Sequence, residues 1–128
     1  MGEKKKLLLV VEDEISLAQA LEKKFSSENF EVLIAKDGEE GLAVALEMHP
    51  EIILLDIIMP KVDGITVLKK LREDSWGSTV PVIMLTNLSD AEKVAEATES
   101  GVYDYLVKSD WKIEDIVKKV NEKLSTTI

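Results

Sequence analysis

Three runs in the chain are apolar at every position rather than at alternate ones: Leu7-Leu8-Leu9-Val10-Val11, Ile52-Ile53-Leu54-Leu55 and Val82-Ile83-Met84-Leu85. Uninterrupted runs of this length belong to strands covered on both faces, as in a parallel sheet. Val32-Leu33-Ile34-Ala35 ahead of an Asp37-Gly38 turn and Tyr103-Asp104-Tyr105-Leu106-Val107 complete a set of five predicted strands. The segments between them carry helical spacing. Leu17, Leu21 and Phe25 recur every four residues behind a Glu-rich start, in a helix that should end near Ser26-Ser27. Leu42, Ala45 and Leu46 mark a second helix, closed at His49-Pro50 because proline disfavours helical geometry in the residue before it. Ile65, Leu68 and Leu71 mark a third, after a loop holding Pro60 and Gly64. The helix predicted from Asp90 to Ser100 offers only Ala91, Val94, Ala95 and Ala97, so it buries little area and should be held loosely. The last helix has a full core-facing stripe of Ile113, Ile116, Val117, Val120 and Leu124.

Strand and helix thus alternate five times, which predicts an α/β fold. The expected form is a (βα)5 flavodoxin-like, doubly wound, five-stranded parallel sheet of order 2-1-3-4-5. Parallel strands deliver their C-terminal ends to one edge, and ligands bind there where the strand order reverses, here between the first and third strands. The first run leads into Glu12-Asp13, the third strand into Asp56, the fourth into Thr86 and the fifth into Lys108. Three carboxylates meeting at one edge are costly, since two like charges 4 Å apart repel by ~4 kcal/mol at an effective dielectric near 20. The cluster should therefore take up a cation or protonate, and an all-oxygen set suits a weak Mg2+ or Mn2+ site. If Asp56 attacks a phosphorus centre, the metal, the Thr86 hydroxyl and the Lys108 ammonium can meet the transferred charge.

Composition narrows the partners. The 128 residues are expected to form one domain, with a core from about 6 to 125 and no effector domain in this chain. A net charge of -9, from 25 acidic and 16 basic residues, argues against direct binding to nucleic acid or to anionic membranes. Lys4-Lys5-Lys6 and Lys118-Lys119 read as solvated segments. The absence of cysteine excludes disulfides and thiolate chemistry. With no signal-like segment and no run of membrane-spanning length, the expected location is the cytoplasm.

In this order and at these strand ends, the residues resemble the receiver domain of two-component response regulators, including its single-domain chemotaxis member, over essentially the whole chain. The resemblance rests on the acidic pair Glu12-Asp13, on Asp56, on Met59-Pro60 and Asp63-Gly64 in the following loop, and on Thr86, Tyr105 and Lys108. It implies that Asp56 accepts a phosphoryl group from a histidine kinase or histidine phosphotransfer protein. Mg2+ would then be held by Asp13, Asp56 and the main-chain carbonyl of Ile58, with Glu12 assisting, and Thr86 and Lys108 would serve the transfer. Thr86 and Tyr105 would form a switch, and the Asp90 to Ser100 helix, the strand of Tyr105 and the last helix would present a face to a downstream protein or effector domain. Such a protein is a monomer or a phosphorylation-linked dimer, and it catalyses only its own phosphorylation and dephosphorylation rather than turning over a small substrate.

Four residues depart from the common pattern of that family, two of them as a pair. Asn87 stands where a small residue usually follows the threonine, and Ser109 stands where proline usually follows the lysine. A cis bond to a non-proline residue costs ~2.5 to 4 kcal/mol, so the Lys108-Ser109 bond is expected to be trans. Ile58 and Leu88 are apolar where polar residues often position the hydrolytic water, which predicts slow loss of phosphate.

Other readings stand beside these. Asp56 could cap a helix, Glu12 and Asp13 could simply open the first helix, Thr86 could be a cap, Lys108 a solvated charge and Tyr105 a sheet aromatic. His49 is expected at the surface, and Trp76 and Trp111 as loop anchors. An aspartate-nucleophile phosphohydrolase would want an acid two residues after Asp56, where Ile58 stands. A flavodoxin-like electron carrier would need a phosphate-binding loop where Glu12-Asp13-Glu14 would repel the phosphate. A phosphorylation-independent, receiver-like scaffold is the remaining alternative.

Overall fold

A computed structural model of the chain describes residues 5–57, 59, 61–86, 99, 105–107 and 112–126. Strands β1 (Lys6–Val11), β2 (Phe30–Ala35), β3 (Ile52–Asp56), β4 (Val82–Thr86) and β5 (Tyr105–Val107) form one sheet. Its order is β2-β1-β3-β4-β5 and every neighbouring pair is parallel, as the alternation predicts. Helices α1 (Ile15–Ser27), α2 (Gly38–Met48), α3 (Gly64–Glu73) and α4 (Ile113–Thr126) pack around it. The helix expected from Asp90 to Ser100 falls outside the described residues apart from Glu99, as does Trp111. Among the described residues no helix is long and apolar enough to cross a membrane.

The uniformly apolar strands serve two cores at once, because successive side chains in a strand point to opposite faces. Leu9, Val11, Ile53, Leu55, Val82 and Met84 face Ala45 of α2 and Ile65, Val67, Leu68 and Leu71 of α3. Leu8, Val10, Ile52, Leu54, Ile83 and Leu85 face Leu21 and Phe25 of α1 and Ile116, Val117 and Val120 of α4. Phe25 also meets Phe30 edge-on, with ring centroids 5.2 Å apart. The edge strand β2 starts two residues earlier than its apolar run suggests, at Phe30, whose side chain closes that second core.

The helix ends follow local chemistry. Helix α1 ends at Ser27, as the periodicity predicts. Helix α2 stops where Pro50 requires it, and His49 takes a left-handed conformation (φ 49°) with its N–H donating to the Ala45 carbonyl. One expectation fails in α2: Leu46 is exposed, and the buried face is Gly38, Gly41 and Ala45. The helix lies too close to the sheet for large side chains there, since a Cβ on Gly41 would sit 2.6 Å from a Val11 methyl. His49 is exposed and stacks on Trp76, ring centroids 4.3 Å apart and planes 6° off parallel. Trp76 in turn packs against the α2–α3 core, so this tryptophan anchors its loop. Arg72 fixes the same connection by donating from Nη1 to the carbonyls of Gly77 and Val80, at 2.7 and 2.9 Å.

Candidate functional site

Register decides which residues meet. Val11 of β1 lies opposite Leu55 of β3, so the next residues on each strand, Glu12 and Asp56, leave the sheet side by side. The ladders run on past the strand ends: the Glu12 N–H donates to the Ala35 carbonyl and the Ile57 N–H to the Leu85 carbonyl, both at 3.0 Å. Backbone hydrogen bonds thus fix both arms of the site before any side chain is considered. A carboxylate oxygen from each of Glu12, Asp13 and Asp56 lies within 4.8 Å of the others. Glu12 and Asp56 are buried, at 1% and 3% exposure, while Asp13 faces solvent. Glu12 is oriented by accepting the Glu14 N–H on Oε2 at 3.0 Å.

None of these three acids caps a helix. Helix α1 starts at Ile15 after Glu14, with no acid in its first turn, so Glu12 and Asp13 precede it. Asp56 is the last residue of β3, and the cap of α3 is Asp63, whose carboxylate accepts the Thr66 N–H at 2.9 Å. The loop between them returns tightly. The Gly64 N–H donates to the Ile57 carbonyl at 2.7 Å, and a Cβ on Gly64 would lie 2.1 Å from the Asp56 carbonyl oxygen. Only glycine permits α3 to begin so close to the acid.

On the other side, Asp56 pairs with Leu85 in register, and Thr86 is the next residue of β4. The main chain of Thr86 pairs with Val107, and that of Tyr105 with Met84. Thr86 thus ends β4, the strand beside Asp56, while Tyr105 begins β5, one strand further out and level with Met84. Lys108, Ile58, Asn87, Leu88 and Ser109 lie outside the described residues.

A feature absent from the sequence reading borders the site. Asp37 caps α2 by accepting the Glu40 N–H at 2.8 Å, and Glu40 reaches back to accept the Lys36 N–H at 2.7 Å. Lys61, in the loop after Asp56, takes a left-handed conformation (φ 68°) and places Nζ 3.6 Å from Asp37 Oδ2. The Glu40 N–H, followed by the Lys61 charge, holds the Asp37 carboxyl below its ordinary value of 3.8. An acid followed three residues later by glutamate is the signal that could have revealed this cap.

The donor set fits a small hard divalent ion: carboxylate oxygens only, two of the three groups buried, and one side open to water. A cleft of about 630 Å³ exists elsewhere, between α1 and α4, but its lining of Lys24, Glu28, Val117 and Lys118 includes no member of the acid cluster.

Comparison with known proteins places this geometry. The pattern of the response regulator receiver domain matches residues 8–121. A probable transcriptional regulator, ycf27 of Cyanophora paradoxa, is 40% identical over 96% of this chain and 53% of its own length. The Francisella response regulator 1452 receiver domain superposes with a TM-score of 0.87 at 32% identity, covering 97% of this chain and all of that one. CheY in a CheX-CheY-BeF3-Mg2+ complex from Borrelia burgdorferi superposes with a TM-score of 0.83 at 28% identity, over 96% of this chain and 90% of that one. The chain spans about half the length of the curated relatives it matches. Several of those relatives are named DNA-binding regulators, so the expected absence of direct nucleic-acid contact draws no support from them. They are signalling proteins rather than turnover enzymes. With its parallel sheet, its order reversal and its acid cluster at that reversal, the chain belongs to the response regulator receiver domains of two-component systems.

Proposed function

We propose that Asp56 is the phosphoacceptor of a two-component phosphorelay. A carboxylate oxygen of Asp56 attacks the phosphorus of a phosphohistidine on a histidine kinase or phosphotransfer protein. The P–N bond breaks, its electron pair stays on the imidazole nitrogen, which takes up a proton from water, and an acyl phosphate forms on Asp56. Asp13, Asp56 and the Ile58 carbonyl would hold Mg2+ or Mn2+, with Glu12 assisting. Such an ion supplies charge neutralisation at the phosphoryl oxygens. The Thr86 hydroxyl and the Lys108 ammonium are assigned to the remaining oxygens, and Thr86 with Tyr105 to the switch. The observation that carries this reading is the Glu12–Asp13–Asp56 cluster at the β1–β3 reversal, with one carboxylate at the end of a central strand. The neighbour from Borrelia, whose complex contains Mg2+, lends it weight.

The acyl phosphate carries about -1.5 to -2 of charge where the free carboxylate carried -1, a net change of up to about -1 beside β4, enough to bias a marginally held surface. The receiver, residues 6 to 125, would act on a downstream protein or on an effector domain, as a monomer or a phosphorylation-linked dimer, in the cytoplasm. The names of the longer relatives, about half of whose length this chain spans, favour a transcriptional output. The test is labelling by a phosphorylated histidine kinase or a small phosphodonor. Stable label that requires Mg2+ and disappears in Asp56→Asn supports the assignment; label that persists in Asp56→Asn refutes it. Rapid turnover of a free phosphomonoester would favour the hydrolase.

A further inference from the structure

We infer that the first turn of α2 is a spacer that sets the opening of the acid cluster, with Gly38 and Gly41 as its positioning residues. The inference rests on the proposed cation site. The cluster has two arms: the end of β1, where Val11 leads into Glu12 and Asp13, and the loop that leaves Asp56 and returns at Gly64. The first turn of α2 touches both. A Cβ on Gly41 would lie 2.6 and 2.9 Å from the two methyls of Val11. A Cβ on Gly38 would lie 1.8 Å from the Val62 carbonyl oxygen and 2.7 Å from its carbon. Neither fits, because real Cβ atoms essentially never come within 3.0 Å of such neighbours.

The Gly38 contact is the harder one, since its neighbour is backbone and no rotamer change relieves it. The loop would have to move by about an ångström, and it is tied at its other points. Ile57 is buried at 1% and Met59 at 8%, and the Ile57 carbonyl is held by the Gly64 N–H. Movement at Val62 is therefore passed toward Asp56 rather than absorbed. The spacer is itself braced by the Asp37 cap, the Glu40 return bond and the Gly41 N–H, which donates to the Asp37 carbonyl at 2.9 Å. Its other end is continuous with Ala35, whose carbonyl accepts the Glu12 N–H. A closed circuit thus runs from Glu12 through β2 and α2 to Val62 and back to Asp56. Small divalent ions need near-ideal octahedral geometry, so a change in jaw width appears first as lost affinity.

The test is calorimetric titration of metal-stripped protein with Mg2+. Gly38→Ala should weaken binding by about ten-fold or more, in the range seen when a ligand's supports are disturbed. Gly41→Ala should weaken it less, and Gly41→Ala with Val11→Ala should return to the affinity of Val11→Ala alone. Leu71→Ala, equally buried but at the far end of α3, should lose stability and keep its affinity. If Gly38→Ala does not fold, the Gly41–Val11 pair decides. Mg2+ affinity within about twofold of wild type in the glycine variants, or an equal loss in Leu71→Ala, overturns the inference. Wild-type protein indifferent to Mg2+ overturns the cation site and this inference together; binding by wild type with the glycine variants unchanged overturns this inference alone.

Discussion

Replacing Asp13 by asparagine should stabilise the metal-free protein and destabilise it relative to wild type once Mg2+ is abundant. Asp13 shares a space within 4.8 Å with two other carboxylates, Glu12 and Asp56. At that separation each repulsion is about 0.9 kcal/mol in bulk water and about 3.5 kcal/mol at an effective dielectric of 20. Asp13 is solvent-facing, so the lower end applies, near 1 kcal/mol per neighbour and about 2 kcal/mol in all. The distances are shorter than the ~10 Å screening length at 0.1 M salt, so moderate salt reduces the effect without removing it. For a chain of this size, about 2 kcal/mol corresponds to a rise in Tm of roughly 5–8 °C. The assay is thermal unfolding of wild type and Asp13→Asn in a chelator, repeated along a Mg2+ series. Wild type gains about 2.7 kcal/mol at a hundred times its Kd, about 0.7 kcal/mol more than the repulsion it carries, whereas Asp13→Asn, having lost a ligand, should bind about 50-fold or more weakly and gain only about 0.6 kcal/mol there. The two Tm curves should therefore cross. Parallel curves, or an Asp13→Asn protein no more stable than wild type in the chelator, would refute the claim that these acids are held together against their mutual repulsion for a cation.

Other outcomes are equally specific. Leu54→Ala empties a fully buried site on the central strand and should cost about 2–5 kcal/mol in urea unfolding; a loss under 1 kcal/mol would mean that the core collapses into the gap. Asp37 has a carboxyl depressed in the folded state, so its contribution is complete above the unfolded value near 3.9 and is lost as pH falls through the lower folded value. Stability of wild type minus that of Asp37→Asn should accordingly shrink as pH falls below about 4, and a difference that stays constant to pH 2 contradicts the assignment. Ile58→Asn restores a polar side chain two residues after Asp56 and should hasten loss of label from the phosphorylated protein. Equal decay in both proteins would show that this position does not control hydrolytic water.

Much of the architecture was legible because the chain writes burial directly into its strands. Leu7–Val11, Ile52–Leu55 and Val82–Leu85 are apolar throughout because β1, β3 and β4 have helices on both sides. The acids were legible for the same reason: a carboxylate that ends such a run must emerge at the sheet edge. The face of α2 was legible only in part: Ala45 is buried and Leu42 packs against the core, but Leu46 is exposed, and the small inner residues Gly38 and Gly41 that let the helix approach Val11 closely gave no apolar signal. The Asp37–Lys61 pair was not legible, since it joins residues 24 positions apart through a left-handed turn at Lys61 that no local pattern announces.

The division of the interior into two separate cores has an evolutionary consequence. Side-chain volume can be exchanged among Phe25, Phe30 and Val120 without reference to Leu68 or Met84, because the sheet is an opaque wall between the two compartments. Substitutions that compensate one another should therefore accumulate on one side of that wall at a time. The helices bearing Ile65 and Ile116 are free to drift at different speeds, while the strand backbones that aim Glu12 and Asp56 stay where they are.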